Sequence, residues 1–235
     1  MAHREAFVLH TRSWRDSGLL VDLLLRDQGR VRAVARGVRR KRRGGNPCQL
    51  FQPLFVVLSG RSELKTVQHI EACGARYELP GQAMFGGLYA NELLVRSLPE
   101  AEGNERLFDA YSQLLQQLIR AEHDLEPPLR AFERVLLEAL GYAIDFSVDA
   151  SSGQPLLASA SYRFIPEVGF VPVQSEQVPA GGAAFSGRVL LKVARGALDD
   201  ASSRRCAKRV MRVALRSVIG DQPLHSRLLF AAGSQ

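Results

Sequence analysis

Eight arginines and lysines fall between Arg30 and Arg43, in the stretch GRVRAVARGVRRKRR that starts at Gly29, and no acid interrupts them. Cations at this density make and break no bonds; they hold polyanions. Each phosphate they neutralise releases condensed counterions. Arginine adds a planar fork that matches phosphate oxygens. With no anion against it, such a run repels itself. A solvated side chain is the plain reading of one cation, but a weak reading of eight in fourteen positions. The candidate phosphate ligands are therefore Arg30, Arg32, Arg36, Arg39, Arg40, Lys41, Arg42 and Arg43. Arg61 and Lys65, on a neighbouring hairpin, extend the set.

Groups arranged for bond chemistry are missing. The chain has no GxxxxGK[ST], GxGxxG or GxSxG, so nucleotide hydrolysis and acyl transfer lack their parts. His3, His10, His69, His123 and His225 show no HxxxH or HExxH spacing. Cys48, Cys73 and Cys206 form no CxxC, which leaves neither a zinc ribbon nor a redox pair. Asp199 and Asp200 read as a helix cap rather than a nuclease centre, because no further acid cluster supports two-metal catalysis. The expectation is a protein that is not an enzyme and takes no cofactor and no metal.

Five strands must position the basic run. Val31, Ala33 and Ala35 alternate with Arg30, Arg32 and Arg36 around Val34, the period of a half-buried strand. Glu5–Arg12 and Leu19–Arg26 read as strands before it, and Asp27 to Gly29 as the turn between. Leu50–Ser59 and Glu63–Ala72 read as two more, with Pro53 at an edge or bulge. Five short strands whose third is basic fit an OB-fold barrel, which binds oligonucleotides on its strand face and loops. Such barrels add aromatic stacking platforms; Phe7, Trp14, Phe51 and Phe55 are candidates, and Trp14 is the best placed for a binding face.

The period then changes to that of helices. Phe85–Leu98 is one. Leu107, Tyr111, Leu114, Leu115 and Leu118 stripe a second, capped by Asn104. Pro127 and Pro128 open a third, which Gly141 closes. Residues 142–185 read as irregular, with strand-like pieces at Tyr162–Ile165 and Gly169–Val173. Leu190–Leu198 and Ser202–Ile219 read as helices, and Pro223–Phe230 as a last helical turn or two. The long helix carries a second basic set. Lys208, Arg212 and Arg216 recur every four residues, which fits a DNA track and a solvated bundle face equally well.

The expected architecture is α+β. A five-stranded OB-fold barrel occupies residues 1–80 and an α-helical domain residues 81–235, with an irregular insertion at about 142–185. Hydrophobic residues make up 46% of the 235, enough for sizeable cores. Net charge is +8 over residues 1–80, −7 over 81–188 and +6 over 189–235. Two basic segments therefore flank an acidic middle, which fits termini that share a partner the middle does not. No apolar run approaches the roughly 18 residues of a membrane span. The N-terminus lacks a signal-peptide core, and the sparse, odd cysteine count fits a reducing cytosol.

The segment AFVLHTRSWRDSGLLVDLLLRDQGRVRAVARGVRRKRR, then LFQPL and GLYANELL, resembles the bacterial recombination mediator and DNA repair family RecO. LRAFERVLLEALGY, a YRF…GF segment, CAKRVMRVAL and PLHSRLLF continue the resemblance in order over nearly the whole chain. It implies the same OB-plus-helical fold and a cytoplasmic, nucleoid-associated protein of the RecF pathway. It further implies binding of single- and double-stranded DNA, annealing of complementary strands, and work with RecR. It implies contact with the acidic C-terminal tail of single-stranded-DNA-binding protein, and through these help in loading RecA. By resemblance Arg130 is the cation for that tail, with Leu107, Phe108, Tyr111 and Leu129 as pocket walls. On residue type alone these are core residues plus one surface arginine. Many relatives carry four zinc-binding cysteines after LGY. Here DFSVDASSG has none, so packing of Phe146, Tyr162, Phe164 and Phe170 must hold the insertion. Two readings compete with DNA mediation: an RNA-binding OB factor with a helical interaction domain, and a DNA-processing enzyme.

Overall fold

A computed structural model of the chain describes residues 2–37, 46–121, 124–173 and 184–226. Arg39, Arg40, Lys41, Arg42 and Arg43 lie outside the described residues, as does the end of the last expected helical turn. The chain forms two compact units: Met1–Leu125 with Pro223–Gln235, and Glu126–Gln222.

In the first unit, β1 (Arg4–Trp14), β2 (Gly18–Leu25), β3 (Gly29–Ala35), β4 (Leu54–Ser59) and β5 (Lys65–Ala72) close into a barrel of order β1-β2-β3-β5-β4. All pairings are antiparallel except β3 with β5, where Ala33 meets Lys65 and Val34 meets Thr66. This is the OB-fold architecture that the strand pattern predicts. Alternate residues fill the barrel: Leu19, Val21, Leu23 and Leu25 from β2 meet Val31, Ala33 and Ala35 from β3. Burial of these side chains drives closure, because each aliphatic group removed from water contributes about 1.5–3 kcal/mol. The fourth strand starts four residues later than expected: Gln49 to Pro53 is not strand, and Phe51 takes a positive φ of 63° there.

Helices α1 (Gln82–Ser97) and α2 (Glu105–Arg120) belong to the same unit. The Asn104 side chain accepts from the Leu107 backbone N–H and so caps α2 as its type predicts. Asn91 of α1 donates to the Leu9 carbonyl at 2.9 Å, and the Tyr111 hydroxyl donates to Asn91 Oδ1 at 2.6 Å. The Phe7 ring lies 5.1 Å from Tyr111 and 5.3 Å from Phe108. Phe7 is therefore part of the contact between barrel and helices, not a stacking platform. Phe51 is fully buried as well. Trp14 is half-buried.

Pro223 to Ser226 return to this unit. Glu92 of α1 accepts from the His225 and Ser226 backbone N–H groups, each at 2.9 Å, and from the Ser226 hydroxyl at 2.7 Å. Desolvation raises the Glu92 pKa, but these hydrogen bonds outweigh it and hold the carboxyl below its ordinary value. A carboxyl depressed in the folded state adds stability that is full above the unfolded pKa and lost as pH falls through the folded one. Glu92→Gln should therefore cost about 1–2 kcal/mol at pH 7, the scale of lost hydrogen bonds to a charged group. The deficit against the parent chain should shrink as pH falls below 4. Thermal unfolding from pH 7 to pH 3 checks this, and a deficit that stays constant over that range contradicts it.

The second unit holds α3 (Glu126–Ala139), strands β6 (Ser161–Ile165), β7 (Gly169–Pro172) and β8 (Phe185–Ser186), α4 (Gly187–Ala194) and α5 (Ala201–Ile219). Gly141, at φ 83°, closes α3, and the Tyr142 N–H reaches back to the Leu137 carbonyl. The expected irregular insertion is more ordered than its composition predicts, with β7-β6-β8 forming an antiparallel sheet. Phe170 sits at its centre, with ring centroids 5.3 Å from Phe146, 5.2 Å from Phe164 and 6.4 Å from Phe185. The Tyr162 hydroxyl accepts from the Leu157 N–H at 2.8 Å. The packing residues expected for this segment are thus together. The helix expected at Leu190–Leu198 begins three residues earlier and ends at Ala194, ahead of Gly196 at φ 74°.

Candidate nucleic-acid interface

The arginines of β3 do not form one surface. In the β2–β3 ladder Asp22 lies opposite Arg32, and Leu24 opposite Arg30. The buried Asp22 carboxylate lies 3.2 Å from Arg30 and 3.5 Å from Arg32. Glu100, in the connection between α1 and α2, meets the same arginines at 3.5 and 3.4 Å. Arg30 also donates from Nε to the Leu98 carbonyl at 3.0 Å. Only 12% of its side chain is exposed, against 41% for Arg32. Two carboxylates and two guanidiniums thus offset one another over the lower half of this face. Alternation along β3 marks a charged face but does not reveal Glu100, which arrives seventy positions later.

The other end of the barrel is open and cationic. Arg15, in the turn after β1, Arg36, just after β3, and Arg61, in the β4–β5 turn, are exposed. Lys65 begins β5 and donates to the Gly60 carbonyl at 3.2 Å. Among the described residues none of these four forms an ion pair with an acid. A cleft of about 560 Å³ lies at this end, lined by Arg15, Arg36 and Lys65 with Trp14, Asp16, Ser17, Gly18, Val34, Ser62, Leu64 and Thr66; Arg61 precedes Ser62 in the chain. The β1–β2 and β4–β5 turns and the β3 end of this cleft are the parts that OB-folds use for oligonucleotides. Gly37, the last described residue before the basic loop, lies next to it in the chain.

The second basic set is divided. Lys208 donates to Glu126 at 2.6 Å, and Arg216 is paired with Asp221. Arg212 is exposed and has no acid partner among the described residues. Arg209 lies 5.7 Å over the Phe185 ring. Asp200 caps α5: its side chain accepts from the Ser202 and Ser203 N–H groups and from Lys192, each at 2.8 Å. The Lys192 and serine hydrogen bonds hold its carboxyl well below the usual range. Sequence type read it as a cap, and a cap it is.

Arg130 is not the surface residue its type implies. It is buried on α3 and paired with Glu133 at 2.8 Å, and its Nε finds no hydrogen-bond partner among the described residues. Leu129 is buried beside it in sequence. Leu107, Phe108 and Tyr111 belong to the other unit, where all three are buried and Phe108 and Tyr111 pack next to Phe7.

Burial pushes the Cys48 thiol up to about 11 and the Cys206 thiol up to about 12, so neither offers a thiolate nucleophile near neutrality. No group of three or more His, Cys, Asp or Glu side chains among the described residues could hold a metal. In the insertion, Asp145 and Asp149 accept from Ser147 and Ser151 within their own turns. Those donors do not fit the tetrahedral sulfur and nitrogen set of a structural zinc.

Residues 1–76 match the family model described as "Recombination protein O N terminal", and residues 81–228 match "Recombination protein O C terminal". The chain is 44% identical over 229 residues to "DNA repair protein RecO" of Stutzerimonas stutzeri (strain A1501), covering 97% of this chain and 93% of the relative. It is 42% identical over 232 residues to the protein of that name from Cellvibrio japonicus (strain Ueda107), covering 97% and 96%. Against that from Yersinia pestis (strain Pestoides F) the identity is 39% over 228 residues, covering 97% and 93%.

Proposed function

The chain belongs to the RecO family of DNA repair and recombination proteins, and from that premise we propose that it acts as a non-enzymatic mediator of the RecF pathway. It binds single- and double-stranded DNA through phosphate contacts at the open end of the barrel. It anneals complementary strands, works with RecR, and helps to place RecA on DNA coated by single-stranded-DNA-binding protein. The observation that carries this reading is the cationic cleft between the β1–β2 and β4–β5 turns, whose arginines and lysine have no acid partners among the described residues. Arg36, Arg61 and Lys65, with the loop cations Arg39, Arg40, Lys41, Arg42 and Arg43, supply the phosphate contacts. Arg30 keeps β3 attached to the α1–α2 connection, and Arg32 stands at the border. Lys208, Arg212 and Arg216 form a secondary track, in which Arg212 is the freest. Because the contacts are to phosphate, affinity depends weakly on sequence and strongly on salt.

Arg130 is the proposed seat for the acidic tail of single-stranded-DNA-binding protein. The support is the resemblance together with a buried guanidinium that keeps an unused donor. The deciding experiment is annealing of complementary oligonucleotides coated by single-stranded-DNA-binding protein, with intact and tail-deleted coat. Annealing should require the tail. Annealing that ignores the tail removes the partner contact, and no annealing at all removes the mediator reading.

A further inference from the structure

Trp14 is the last residue of β1 and pairs with Gly18, the first of β2. A side chain at Gly18 would bring its Cβ within 2.9 Å of the Trp14 carbonyl oxygen, so the turn closes only on glycine. Arg15, inside that turn, holds a left-handed φ of 50°, which is uncommon for a residue with a side chain. The tight turn leaves the indole lining the cleft rather than entering the barrel core, to which it does not belong. Among the described residues the indole meets no other ring and its N–H donates no hydrogen bond. Val34 and the 37% exposed Leu64 supply the remaining apolar lining, and Arg15, Arg36 and Lys65 supply charge around it. Among the described residues Asp16 is the one acid that lines the cleft.

A half-buried indole that lines a cleft bordered by cations has a specific chemical match. An unstacked base offers a π-face to the ring, and its flanking phosphates meet the cations. The cleft volume lies within the range of small-ligand sites. Paired bases cannot use such a cleft, because their faces are covered by neighbours in the stack. We infer that Trp14 is the stacking platform of a subsite that takes one unpaired nucleotide of a DNA strand, with Arg36 and Lys65 on the adjoining phosphates. This rests on the DNA-binding reading above and adds to it a preference for unpaired over paired DNA.

Trp14 is the sole tryptophan of the chain, so intrinsic fluorescence reports on the subsite directly. The full chain is titrated with a labelled oligothymidylate, with the same oligomer made abasic throughout, and with a duplex of equal length. Label anisotropy and tryptophan emission are followed together. Oligothymidylate should quench more than half of the emission in step with the anisotropy rise. The abasic strand and the duplex should raise anisotropy with little quenching. Trp14→Leu should lower affinity for oligothymidylate about tenfold and leave abasic affinity unchanged. The parent-chain titration keeps the test decisive even if the variant misfolds. Binding without quenching, or equal quenching by abasic and duplex DNA, overturns the subsite and leaves the phosphate-binding reading intact. No anisotropy rise with any of the three overturns the reading on which it rests.

Discussion

A chain carrying Arg36→Glu, Arg61→Glu and Lys65→Glu should lose about 100-fold in affinity for single-stranded DNA near 0.1 M salt, and its log-affinity against log-salt slope should flatten by about two units. The reasoning starts from the β3–β5 junction. Parallel pairing there brings the end of β3 and the start of β5 side by side, so Arg36 and Lys65, far apart in sequence, line one cleft, and Arg61 is exposed in the turn that supplies Ser62 and Leu64 to it. Each phosphate neutralised contributes about 0.7 to the slope for a single strand, and three are removed. Reversal adds repulsion that plain deletion lacks. The three side chains make no acid pair among the described residues, so their replacement should leave the unfolding midpoint nearly unchanged. Titrations at several salt concentrations give both numbers. Unchanged affinity with a folded variant would place the DNA contact elsewhere. A loss of affinity with an unchanged slope would mean that phosphate is not what these residues meet.

The second large effect is on stability. Gly103→Ala should lower the unfolding midpoint of the barrel unit by on the order of 10 °C, corresponding to about 3 kcal/mol. A Cβ built on Gly103 falls 2.2 Å from the Asp27 carbonyl oxygen, and one on Gly29 falls 1.9 Å from the Glu102 carbonyl oxygen. In both cases the obstacle is backbone, which cannot swing aside as a long side chain can. Two glycines thus let the α1–α2 connection lie against the β2–β3 turn, where the Ala101 N–H donates to the Arg30 carbonyl at 2.9 Å. Forcing this contact apart also withdraws Glu100 from Arg30 and Arg32. Glu100 is partly exposed and Arg30 keeps Asp22, so this loss adds no more than about 1 kcal/mol. Gly74→Ala is the matched control. Its Cβ would meet only Pro53 side-chain carbons, at 3.6 and 3.7 Å, and it should stay within about 0.5 kcal/mol of the parent. Equal midpoints for both variants would show that the connection is free to move off the turn.

Local patterns reached a long way into this structure. A continuous apolar run located β2 and alternation located β3 to within a residue or so, and the Asn104 and Asp200 caps followed from side-chain type. These features depend on neighbours a few positions away. What the pattern missed depends on distant partners. Arg30 and Arg36 look alike in the alternation, yet Glu100 and Leu98 cover one and leave the other open. Arg130 looks like a solvated cation on α3, yet Glu133 one turn along holds it in a buried pair. Sequence pattern located β6 and β7 as strand-like pieces, but the two-residue β8 and the pairing of all three into one sheet stayed hidden, because strands of two to five residues are too short to establish a period. Phe170, which organises them, is one ring in a stretch rich in serine, alanine and glycine. For the cleft, residue type identified Trp14 as the best-placed aromatic, but its companions come from three separate turns and strand ends.

The return of Pro223–Ser226 to Glu92 also bears on how the molecule is made. A ribosome delivers the barrel, α1 and α2 first, then nearly a hundred residues that form a unit of their own, and only then the short segment that completes the earlier one. Domains generally fold as they emerge, N-terminal first. Here the first unit to emerge waits for residues 225 and 226 before Glu92 gains its backbone donors. A chain released after Gln222 would have every residue of the second unit and a first unit that still lacks its closing piece. A frameshift just after the codon for Gln222 would therefore weaken the barrel unit while sparing the unit encoded just upstream.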